Sequence, residues 1–218
     1  MKKAKIFILS GLALVMLFIA GSVFYQGQET KKIESLATEN TAVFAREYSQ
    51  TLGNKDAKVT ITEFLDPGCE TCRTFHPFIK EMLAHYAGKV KLVIRYIPLH
   101  HGADEMVKIL EASKEQGKYW ETLEVMYESQ PSWASHSNPQ PEQIWKFLSQ
   151  IGLNIEKLKK DMHMPEIEKN LAQDIADAQV LNVKKTPQFF VNGRPLLIFG
   201  SQQLVDLVRS EVKKHYPD

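Results

Sequence analysis

A chain of 218 residues is long enough for one large domain, or for a small domain carrying an insertion. Its 27 Lys and Arg stand against 26 Asp and Glu, a formal net charge of +1 with no long basic stretch, which excludes a nucleic-acid partner recruited by charge. With 44% hydrophobic and 24% charged residues, the composition is that of an ordinary globular protein.

The N-terminus departs from that average. Lys2, Lys3 and Lys5 precede Ile6 to Tyr25, a run without a charge. Twenty residues of helix span about 30 Å, the thickness of a bilayer core. Lysines ahead of such a run hold the N-terminus in the cytoplasm and place the rest of the chain outside. A cleaved signal peptide is the alternative, with Ala20-Gly21-Ser22 as the small residues, giving a soluble periplasmic protein. The run, however, exceeds the usual apolar core of a signal and continues through Val23, Phe24 and Tyr25, which favours an uncleaved transmembrane anchor over residues 1–25. Either route leads to an oxidising compartment of the cell envelope. Residues 26–51 read as a partly helical linker, because the spacing of Ile33, Leu36, Val43 and Phe44 is too irregular for the heptads of an oligomerising arm.

The folded domain is expected over 52–218. Val59 to Leu65 is β-branched and alternating, a strand that Asp66-Pro67-Gly68 breaks. From Cys69, the apolar residues Phe75, Phe78, Ile79, Met82, Leu83 and Tyr86 recur at three- and four-residue steps, an amphipathic helix ending at Gly88 with a kink expected at Pro77. Val90 to Leu99 forms a second strand. Residues 102–181 are helical, with a loop from Pro131 to Pro141 and Asn154 as the cap of a short helix. Trp133 and Trp145 in this block read as packing residues rather than a substrate surface. Gln188 to Val191 and Pro195 to Phe199 flank Asn192-Gly193, a two-residue hairpin signal, and Gln202 to His215 closes with a helix. The order β-α-β, helical block, β-β-α makes the fold class α/β.

Cys69 and Cys72 are the only cysteines. As a staple the pair is weak: a four-residue loop gains about 2 kcal/mol, against about 4.7 for a hundred-residue loop. Adjacent thiols suit electron exchange better, with metal binding and a structural pair as the alternatives. The break before Cys69 places it at a helix start, where unpaired N–H groups and the helix dipole stabilise a thiolate. Cys69 is therefore the nucleophile, and Cys72, one turn inward, resolves the mixed disulfide. His76, His100 and His101 are candidate further ligands for a metal such as copper, but structural zinc normally takes four and no third cysteine exists. No cofactor is implied.

Leu52 to Phe64, the Cys69-x-x-Cys72 motif and Lys185 to Gly193 resemble the DsbA-like branch of the thioredoxin superfamily, and Gln116 to Trp120 fits the same branch. The resemblance runs from Leu52 to the C-terminus. It implies a thioredoxin-like fold with a helical insertion between the second and third strands, preceded here by the transmembrane or signal helix. It also implies that Thr186-Pro187 is a cis bond beside the cysteines, its backbone pairing with substrate, and that Glu63 is a buried acid relaying a proton to Cys72. The implied partners are cysteine-containing exported proteins and a membrane redox partner. Glu70 departs from the strongly oxidising members, since like-charge repulsion would raise the Cys69 pKa and weaken the oxidant. Arg73 would offset this modestly. The direction of electron flow, whether oxidase, reductase or isomerase, stays open.

Overall fold

The computed structural model describes residues 2–39 and 41–217. Helix α1 (Lys2–Glu39) precedes a five-stranded sheet of order β1-β3-β2-β4-β5, built from β1 (Thr51–Gly53), β2 (Val59–Leu65), β3 (Val90–Tyr96), β4 (Gln188–Val191) and β5 (Arg194–Pro195). Between them run α2 (Glu70–His85), then α3 (Ala103–Ser113), α4 (Tyr119–Trp133), α5 (Trp145–Leu148), α6 (Ile155–Asp161) and α7 (Pro165–Val180), with α8 (Ser201–His215) closing the chain. Only β2 and β3 are parallel, as a crossover through a helix requires; the remaining pairs are antiparallel.

Register divides the sheet into two faces. Ile61, Glu63 and Leu65 lie opposite Leu92, Ile94 and Tyr96, and this face buries the cluster that contains Cys72, Ile79, Met106, Leu123 and Val208. Thr62 and Phe64 pair with Val93 and Arg95 on the other face, where Phe64 and Phe190 pack on Val43, Phe44, Ala178 and Leu181. Each fully buried Leu, Ile or Phe contributes about 1.5–3 kcal/mol.

Arg95 is fully buried on that second face and saturated with acceptors. Its guanidinium donates to Asp174 at 2.9 Å, Asp177 at 2.6 Å and the Val43 carbonyl at 2.7 Å. Arg46 adds two bonds to Asp177, and the Tyr48 hydroxyl reaches Asp174 at 2.6 Å. The segment before β1 is thereby bound to α7 and β3, part of which lay inside the expected linker.

Several elements differ from their sequence pattern. β1 is three residues long, too short to show a period, and is recruited by pairing with β3. α2 runs from Glu70 to His85 through Pro77, which has no N–H to give the Arg73 carbonyl. α4 continues past Pro131 into the expected loop because Trp133 is fully buried, its indole donating to the Met126 carbonyl at 3.0 Å. β3 stops at Tyr96, and the N–H groups of Leu99 and His100 turn to Asp66 instead. The hairpin at Asn192-Gly193 has positive φ at both residues, as its turn type needs, but β5 holds only Arg194–Pro195. Leu197 and Ile198 are exposed, and Phe199 leaves the sheet to pack on Phe75. Asn154 does cap α6, accepting from the Lys157 N–H at 2.9 Å.

The expected anchor is not confirmed. Among the described residues no helix is long and apolar enough to cross a membrane. The apolar run begins at Ile6, whereas the side chains of residues 1–10 lie outside the described ones. From Gly11 only the part to Tyr25 remains, and α1 continues from there into Gln26, Gln28, Lys31 and Lys32.

Candidate active site

The site forms where β2 ends. Asp66 is fully buried and knits the loop: its carboxylate accepts from the N–H groups of Gly68 (2.7 Å), Leu99 (2.6 Å) and His100 (2.9 Å), and contacts the His100 ring nitrogen at 2.7 Å. Its carbonyl accepts from the Cys69 N–H at 3.0 Å. Gly68 is required by close approach, since a Cβ there would lie 2.9 Å from that of His100. Held this way, Cys69 becomes the N-cap of α2, in extended conformation.

Both cysteines are free thiols. Cys69 is 6% exposed and Cys72 fully buried. The Cys69 thiol donates to the Thr186 carbonyl at 3.2 Å, and Thr186-Pro187 is a cis peptide immediately before β4. Chain segments more than a hundred residues apart therefore meet at one sulfur.

The two thiols are driven in opposite directions. Cys69 is lowered to about 5, first by the hydrogen bond from the Cys72 thiol, then, against the effect of burial, by the Thr186 side chain and the N–H groups of Cys72 and Thr71. These are the free donors of a helix's first turn. Cys72 is pushed up by burial, by its bond to Cys69 and by the charge of Glu63. Glu70 opposes this only weakly: its side chain is exposed, and solvent screens its charge while the first-turn donors act at contact. The rise in the Cys69 pKa expected from Glu70 is therefore outweighed, and Cys69 is lowered on balance.

Glu63 lies in mid-β2 between Ile94 and Phe189, on the face that buries Cys72. Burial, and next the nearby Cys69 thiolate, raise it to about 8. The structure thus brings Cys69, Cys72, Glu63, Thr186 and Pro187 into one neighbourhood.

A thioredoxin family model matches residues 45–206. The chain belongs to the thioredoxin family. Its fold is that of the DsbA-like branch. The structure of a thioredoxin-like oxidoreductase from Silicibacter pomeroyi is 27% identical, covering 80% of this chain and 98% of that one at a TM-score of 0.68. Wolbachia pipientis alpha-DsbA1, 18% identical, covers 80% of this chain and 96% of its own at a TM-score of 0.69, a likeness of fold. Among curated proteins, the Na(+)/H(+) antiporter NhaA of Herminiimonas arsenicoxydans is 26% identical over 144 residues, 66% of this chain but 22% of the antiporter. The chain spans about a fifth of the length of the curated relatives it matches.

Two members of this thioredoxin site are not evident from the sequence. Asp66 is legible there only as a strand break, although Asp-Pro-Gly is also the signature of an Asx turn. Gln130, in α4, donates to the carbonyls of Pro67 (2.8 Å) and Cys69 (3.1 Å). No local pattern connects a glutamine in a helical block to a loop some sixty residues earlier in the chain.

The candidate metal ligands do not assemble. His76 packs its ring against Tyr127, and His100 is bound to Asp66. Among the described residues no three His, Cys, Asp or Glu side chains converge as ligands.

Proposed function

We propose that the protein catalyses thiol–disulfide exchange with exported, cysteine-containing proteins, outside the cytoplasm, through Cys69 and Cys72. The observation that carries this reading is two free thiols at one helix start, Cys69 as the N-cap of α2 at 3.2 Å from the Thr186 carbonyl and Cys72 buried one turn inward, a geometry that drives their pKa values in opposite directions. At neutral pH, Cys69 is a thiolate while Cys72 keeps its proton. The Cys69 thiolate attacks one sulfur of a substrate disulfide; the S–S bond breaks and the other sulfur leaves as a thiolate. Cys72 then attacks the Cys69 sulfur of the mixed disulfide and passes its proton to the ionised form of Glu63, whose charge is no longer opposed by Cys69 once that sulfur is bonded and neutral. The Cys69–Cys72 disulfide forms, the substrate's second thiolate leaves, and two electrons have moved to the substrate. The reverse sequence oxidises a substrate dithiol. Backbone at Thr186-Pro187, held against Cys69, is where the substrate chain lies.

A stabilised thiolate makes the reduced pair the favoured product, so the geometry supports net donation of a disulfide to substrate more than Glu70 alone would imply. The run Ile6 to Tyr25 supports export, and a membrane partner would reoxidise the pair. Trapping tests the roles: Cys72→Ala should accumulate mixed disulfides with substrate, whereas Cys69→Ala should accumulate none. Equal trapping by both variants defeats the assignment.

A further inference from the structure

Gln130 is 1% exposed, in the last turns of α4. One amide N–H reaches the Pro67 carbonyl and the other the Cys69 carbonyl, the residues flanking Gly68 at the active loop. Which end of the amide faces the loop is not ambiguous, because both targets are acceptors and only the nitrogen donates. Its Oε1, by contrast, is buried without a hydrogen-bond partner. An unsatisfied buried acceptor is destabilising, a cost that Met or Leu of similar volume would avoid. The two donated bonds are therefore what this position uses.

The Cys69 carbonyl also accepts the Arg73 N–H at 3.2 Å, the first helical bond of α2. Held from the helix side by Arg73 and from α4 by Gln130, the peptide between Cys69 and Glu70 cannot rotate. We propose that Gln130 is a positioning residue: it locks this peptide so that the first turn of α2 keeps its N–H groups on the Cys69 sulfur, placing the redox pair under control of the helical insertion. Trp133 anchors α4 three residues further on, so the amide is presented from a rigid element. Release of the peptide lets the Thr71 and Cys72 N–H groups turn away, and the thiolate loses the donors that lower it.

The inference rests on Cys69 being the attacking thiolate. Gln130→Met keeps volume and removes both bonds. In this variant the Cys69 thiolate, followed by its ultraviolet absorbance, should titrate about one pH unit higher, and the glutathione equilibrium should shift about tenfold, or about 30 mV, toward the oxidised pair. A natively folded variant that melts lower while titrating like the wild type overturns the proposal, because Gln130 is then merely structural. If the variant does not fold, nuclear magnetic resonance of the wild type decides: the Gln130 side-chain amide signals should titrate with the midpoint of Cys69, and signals that ignore that titration overturn it. A wild type that neither forms the Cys69–Cys72 disulfide nor exchanges with glutathione instead refutes the function on which the inference stands.

Discussion

Glu63 and Arg95 are both buried ionisable residues in adjacent strands of one sheet, yet they are treated in opposite ways. Arg95, on the Phe64 face, is surrounded by Asp174, Asp177 and the Val43 carbonyl. Glu63, on the cysteine face, is acted on by burial and by the Cys69 thiolate, both of which disfavour its charge. A buried charge that is fully hydrogen-bonded stays charged and acts as structure. One that is opposed by its surroundings takes up a proton near neutral pH, which is what a proton carrier needs.

This contrast is most easily broken at Arg95. Arg95→Met leaves Asp174 and Asp177 buried without their shared cation and should destabilise the protein by about 3–5 kcal/mol in denaturant unfolding. In protein that still folds, the Cys69 titration should not move; a moved titration would join the two faces into one unit. Glu63→Gln should do the reverse. Because the folded carboxyl titrates near 8 and the unfolded one near 4.5, stability falls as pH rises through that window and stays low above it. Replacing Glu63 should therefore stabilise by about 3 kcal/mol at neutral pH, with no gain below about 4.5. The same variant should slow release of the mixed disulfide and lose its inflection near pH 8. Unchanged stability and unchanged rates across pH would remove Glu63 from the site.

At neutral pH a smaller effect separates the reduced from the oxidised protein. The folded Cys69 titrates below its unfolded value, so the thiolate's contribution is present in full above the unfolded thiol's range and is lost as pH falls through about 5. The advantage of the reduced form in thermal melting should shrink over that range; a constant difference contradicts a lowered Cys69. The smallest change is expected for Glu70→Gln, an exposed charge, which should shift the Cys69 titration by less than about half a pH unit.

Much of the fold could be read along the chain because its signals are local. The β2 alternation, the Asp-Pro-Gly break, the α2 stripe, the Asn192-Gly193 turn and the Asn154 cap each involve neighbours within a few residues. The misreadings have a common cause. β1 exists only by pairing with β3, α4 outlasts Pro131 only because Trp133 is buried, and the Pro195 to Phe199 strand is cut short because Phe199 packs on Phe75.

The site divides the same way. Spacing and the helix start were enough to propose Cys69 and Cys72 as a dithiol and to expect Cys69 as the attacking thiol, since those expectations rest on covalent order and on the first turn of a helix. Tertiary structure alone decided how acidic Cys69 is, because the balance among Cys72, Thr186, Glu63 and the exposed Glu70 depends on distances and burial that no spacing encodes. Gln130 and Asp66 became part of the site for the same reason: a hydrogen bond is specified by where two groups meet in space, and these partners come from separate elements of the chain.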